Sequence, residues 1–185
     1  MSSTSRTHSS LANPSLGSPW LWIALLAAAS VLLSFRLSCA MPFAALAALA
    51  AIHMKRSDGL ALVGLAWALN QIVGFAFLEY PHDFQSYAWG AAIGVAALAS
   101  FAAASVVTPR LAHLGQPAMM AGTLAAAFVA YQIAVYVPAA VLPSSELAYA
   151  WPIIGQIALV NAVVFPGLLL AHRGAELLGL TAARA

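Results

Sequence analysis

Charge is what this chain has least of. Its 185 residues carry seven basic and five acidic side chains, 6% in all. Ordinary soluble domains are about 25% charged. So few charges cannot solvate the surface of a soluble fold, and 63% of the residues are hydrophobic. The chain reads as an integral membrane protein. Its net charge of +2 is too small and too scattered for nucleic-acid binding. Cysteine is nearly missing too. The single Cys39 excludes an internal disulfide and any CxxC redox or zinc motif. Enzyme signatures are missing as well: there is no GxSxG, no HExxH, no Walker loop and no paired membrane histidines at haem spacing. No acidic residue falls inside an apolar segment, which argues against a proton-relay pump. The expectation is a protein that is not an enzyme.

Long apolar runs are what the chain does have. A helix needs about 20 apolar residues to cross the hydrocarbon core. Six spans are expected, over 19–35, 37–54, 59–78, 87–108, 117–141 and 148–171. The fold class that follows is an all-α membrane protein, six transmembrane helices in one bundle. Residues 20–54 are apolar almost throughout, too long for one span. Arg36 and Pro42 divide them, with Pro42 in the first turn of the second helix, where its missing N–H does no harm. Residues 1–18 are Ser-rich and read as a disordered tail, and 172–185 as a short C-terminal tail. Ser38-Cys39-Ala40 imitates a signal-cleavage site. The long polar lead before the apolar run, and Arg36 in place of a lipobox residue, argue against cleavage or lipidation.

The charges orient this bundle. With the N-terminus on one side, that side holds Arg6, Lys55, Arg56, Arg110, Arg173 and Arg184. The opposite side holds Arg36, with Glu79, Asp83 and Glu146. The positive-inside rule then makes both termini cytoplasmic and the chain a multi-pass protein of the plasma (inner) membrane.

Polar and aromatic residues gather in the outer half of this arrangement. All five tyrosines fall there, as do Trp89 and Trp151, while Trp20 and Trp22 mark the inner interface. Asn70, Gln71, Gln132, Gln156 and Asn161 lie within spans. Amides at that depth must face other helices or a wet cavity, because lipid offers no hydrogen bonds. They are either glue between helices or the floor of an outward pocket. The stretch EYPHDFQSYAWG at 79–90 would form the pocket's lip. Pro81 turns the chain, and Glu79, His82 and Asp83 stand at the mouth. Aromatic walls with a few convergent polar groups are how small-molecule sites are built. The candidate solute-binding residues are therefore Asn70, Gln71, Tyr80, His82, Asp83, Trp89, Tyr131, Gln132, Tyr136 and Gln156. Cys39 is a candidate soft metal ligand with His82 as companion; a small packing residue is the plainer reading of that cysteine. His53, His113 and His172 sit near the inner ends of spans, too far apart in sequence to form a ligand motif.

Small residues dominate the spans, as in AALAALAA at 44–51 and in Gly90 and Gly94 at GxxxG spacing. Such faces serve a partner helix or the protein's own packing.

Six short helices, an outer polar half, small-residue faces and no energy source together resemble the substrate-binding membrane subunits (S-components) of energy-coupling factor vitamin transporters. The resemblance covers residues 19–171 and lies in size and topology, without a motif. It implies that the loops bearing Arg36 and Cys39, Glu79 to Tyr87, and Glu146 and Tyr149 close over a vitamin or metal. It implies a separate energising ATPase module, to which AALAALAA would offer an alanine face. No intrinsic cofactor is expected. The outward cysteine points to cobalamin or cobalt as solute, with Cys39 an axial ligand to a bound corrinoid or a divalent metal. Two alternatives stand beside this reading. One is a non-catalytic assembly subunit packing through its Ala and Gly faces. The other is a membrane cofactor-processing enzyme using Glu79, His82 and Asp83.

Overall fold

The computed structural model describes residues 19–36, 41–142 and 150–177. All regular structure among them is helical: α1 (Pro19–Arg36), α2 (Phe43–His53), α3 (Arg56–Phe77), α4 (Phe84–Leu111), a short 3-10 turn (Ala112–Leu114), α5 (Gln116–Ala139) and α6 (Trp151–Leu177). Lipid cannot accept or donate hydrogen bonds, so an apolar chain satisfies its backbone within helices. Helices α3 to α6 are long and apolar enough to cross a membrane. Their ends fall within a few residues of the expected spans, except that α6 runs on to Leu177.

The second expected span, 37–54, departs most. Its helix has 11 residues and extends about 16 Å at 1.5 Å per residue, roughly half of a 30 Å hydrocarbon core. Pro42 stands at its N-cap, one position before the first helical residue.

This short α2 is the centre of the bundle. It packs against α3, α4, α5 and α6. Phe43 to Ala50 are at most 1% exposed. An all-round apolar helix has no face to give to solvent and belongs in a core. Its alanines let four neighbours approach closely. The alanine run is therefore spent inside the chain, and the face expected to meet an energising module is not on the surface.

A helix that begins inside a bundle leaves N–H groups without partners. Here α6 supplies one. The Ala45 N–H donates to Asn161 Oδ1 at 2.8 Å. Asn161 Nδ2 donates in turn to Ile157 O at 2.8 Å, which fixes the amide's orientation. The Phe43 N–H turns back to Met41 O. Asn161 is 2% exposed, so this amide is helix-to-helix glue.

Helices α3 and α4 form an antiparallel hairpin of large residues laid on glycines. The Trp67 ring lies on Gly94, and a methyl group added there would meet it at 2.8 Å. Gln71 covers Gly90 in the same way. Phe101 from α4 lies on Gly59 of α3. Trp67 Nε1–H also donates to Gly90 O at 2.8 Å. The GxxxG pair therefore receives α3, which removes it as a docking face for a partner helix. Between α4 and α5, Ser100 Oγ–H donates to Ala127 O at 2.8 Å, and Thr108 and Thr123 hydroxyls meet at 3.2 Å.

This packing sets opposite signs for one substitution at two glycines. Gly155 has nothing within 4 Å of an added methyl, so Gly155→Ala should gain up to about 1 kcal/mol of helix propensity. Gly94→Ala should instead lose about 1–3 kcal/mol through overpacking against Trp67. Unfolding midpoints in detergent would read both.

Candidate functional site

The segment 78–83 is built from the end of α3. Leu78 N–H reaches Val73 O and Tyr80 N–H reaches Gly74 O, both at 3.1 Å. The second of these turns contains Glu79, which takes the left-handed conformation at φ 53°. Gly74 lets the Tyr80 ring lie directly on the helix. Phe75 then gathers the aromatics: Tyr87 stacks on it at 4.9 Å, Tyr80 meets it edge-on at 6.0 Å, and His82 lies 5.5 Å away. His82 Nδ1 and the Tyr87 hydroxyl are 2.9 Å apart.

Asp83 starts the next helix. It is the N-cap of α4, and its carboxylate accepts the Ser86 N–H at 2.7 Å. That bond, helped by the Ser86 side chain, holds the Asp83 carboxyl below the usual carboxylate range. Asp83 and His82 both stand exposed. The sequence carries the cap's signature, an aspartate just before an apolar helix, and that duty accounts for Asp83 without a solute. Phe75, the hub of the aromatics, carries no such signal, because only the folded turn brings it beneath the loop.

The structure joins Tyr80, His82 and Asp83 in this loop and leaves the other candidates dispersed. Asn70 and Trp89 are half-buried, and Gln71 lies over Gly90. Tyr131 stacks on Phe43 at 6.1 Å, beside the start of α2, with Gln132 buried next to it in α5. Tyr136 is exposed, and so is Gln156 on α6. Cys39, Glu146 and Tyr149 lie outside the described residues. A cavity of about 210 Å³ between α3 and α4 is lined by Val63, Trp67, Gly94, Val95 and Leu98. Its apolar walls offer a polar solute nothing to bind.

The opposite end of the bundle holds a cluster that spacing in sequence concealed. The start of α1, the end of α2 and the end of α6 meet there. His53 and His172 rings lie 4.6 Å apart. Trp22 Nε1–H donates to His172 Nδ1 at 3.2 Å. His172 Nε2 lies 3.4 Å from Glu176 Oε1. Ligand-type atoms of His53, His172 and Glu176 all fall within 4.8 Å of one another. His172 is 4% exposed. His113 stays apart, exposed on the 3-10 turn.

Comparison with protein-family models, with curated proteins and with solved structures returned no match.

The Asp83 cap has a definite pH sign. Its folded pKa is depressed, so its contribution is fully present above the unfolded value of about 3.9 and disappears as pH falls through the folded value beneath it. Asp83→Asn keeps an acceptor and should keep the Ser86 amide protected from hydrogen exchange at neutral pH. Asp83→Ala should expose that amide.

Proposed function

We propose that the protein is a non-catalytic, multi-pass subunit of the plasma membrane that binds a small solute for uptake, with both termini cytoplasmic. The observation that carries this reading is the start of α2. A helix beginning inside the bundle directs the positive end of its dipole toward the half of the bundle beyond it. Transporters use half-helix N-termini in this way to receive anionic groups near the membrane midplane. Here that terminus is faced by the Asn161 amide and the stacked Tyr131 and Phe43 rings. Polar groups beside aromatic walls suit a vitamin-like or metal-containing solute bearing an anionic or carbonyl-rich edge. Cobalamin comes first, for the sake of Cys39; a free cobalt ion, being cationic, suits the positive end of α2 less well. The bilayer and a separate ATPase module are the expected partners. The surface for that module would lie elsewhere than on the alanines of α2. The assembly-subunit reading loses its best face, because Gly90 and Gly94 are filled from within.

A thermal-shift screen of the purified protein against B-vitamins, corrinoids and divalent metals tests this. A solute at a hundredfold excess over its Kd stabilises the folded state by about 2.7 kcal/mol. Asn161→Asp keeps an acceptor for the Ala45 N–H while placing a carboxylate at the terminus. It should weaken an anionic solute at least tenfold. Cys39→Ala should weaken a corrinoid alone. No shift with any compound, or a shift untouched by Asn161→Asp, would overturn the reading.

A further inference from the structure

The cluster of Trp22, His53, His172 and Glu176 has no part in the solute-binding reading and does not depend on it. Its ligand-type groups first suggest a metal, since two histidines and a glutamate are a familiar zinc set. The hydrogen bonds say otherwise. Indole N–H is only ever a donor, and Trp22 aims it at His172 Nδ1. That nitrogen must therefore carry a lone pair, so neutral His172 holds its proton on Nε2, facing Glu176. A metal at Nε2 would move the proton to Nδ1, directly against the indole N–H. Ligating histidines normally donate their second N–H to an acceptor, and Trp22 cannot accept. The site is arranged for a proton.

We infer that His172 is a pH-sensitive latch between α1 and α6. Neutral His172 accepts the Trp22 hydrogen bond and ties the first turns of α1 to α6. One proton taken up on Nδ1 makes both ring nitrogens donors. The Trp22 bond is lost, while the imidazolium pairs more strongly with Glu176. The proton arrives from water, to which Glu176 is 45% exposed. Among the described residues, His53 from α2 and Glu176 from α6 are titratable groups that face His172; α1 brings Trp22 and, between Trp20 and Ala29, no titratable side chain. Glu176 favours the protonated form, and a protonated His53 would oppose it. The remaining packing of α1 is chiefly on α3, so releasing the latch frees one end of α1 without opening the bundle. Histidine is the side chain whose unperturbed charge change falls between about pH 5 and 8.

Hydrogen–deuterium exchange of the full chain in nanodiscs tests the latch, with peptides covering residues 20–29 corrected for intrinsic exchange rates. In the unaltered protein, protection of the first turns of α1 should fall at least fivefold between pH 8 and pH 5.5. His172→Gln, which supplies an acceptor and a donor but no proton site, should keep that protection at both pH values. Trp22→Phe should lack it at both. Glu176→Gln should move the midpoint to lower pH, because the carboxylate no longer stabilises the cation. An unaltered protein without pH response, or an identical response in His172→Gln, would overturn the latch. Zinc or cobalt(II) protecting α1, with loss of that effect in His53→Ala, would also overturn it and make the cluster a metal centre.

Discussion

One hydrogen bond, from the Ala45 N–H to Asn161 Oδ1, reconciles this bundle with its short central helix. A helix that starts at an aqueous interface has water for its first N–H groups. A helix that starts within the bundle has only protein. Without an acceptor from α6, α2 would have to lengthen, shift or leave a buried donor bare, and a bare buried donor costs about 1–3 kcal/mol. Asn161 meets that demand and orders α6 as well, because α6 packs chiefly on α2. This helix-to-helix glue also caps the buried start of α2.

The rest of the bundle is held by shape. Trp67 on Gly94, Gln71 on Gly90 and Phe101 on Gly59 lock α3 to α4. Apolar exclusion adds little between helices in lipid, so close packing and a few buried hydrogen bonds carry the load. Ser100 to Ala127 O and the Thr108–Thr123 pair do this between α4 and α5. Polar groups at the two ends have different duties. At the Tyr80 end they terminate α3 and start α4. At the Lys55 end they tie α1 to α6 through a ring that can change its donor pattern.

Much of the fold was legible because it follows from solvent. Scarce charge and long apolar runs dictate helices, and Lys55, Asp83 and Arg110 mark ends of α3 and α4 closely. The length of α2 was not legible. AALAALAA looks the same whether it spans a bilayer or sits in a core, since it has no polar face to betray its surroundings. The meeting of His53 with His172 was hidden too, because it depends on how α2 and α6 pack and on nothing local to either. Gly90 and Gly94 announced a close contact but not its partner. Only the α3–α4 register gives them Trp67 and Gln71. Asp83 was readable as a helix cap from its position alone. Its charge, in so oily a chain, drew attention to binding.

The most direct test of this account is the exchange rate of the Ala45 amide, measured beside those of Leu46 and Leu49. Ala45 should be protected like the helix interior in the unaltered protein. In Asn161→Ala it should exchange at least about tenfold faster relative to Leu49, the factor that corresponds to about 1.4 kcal/mol. An Ala45 amide that exchanges like an open terminus in the unaltered protein, or one indifferent to Asn161→Ala, would contradict it.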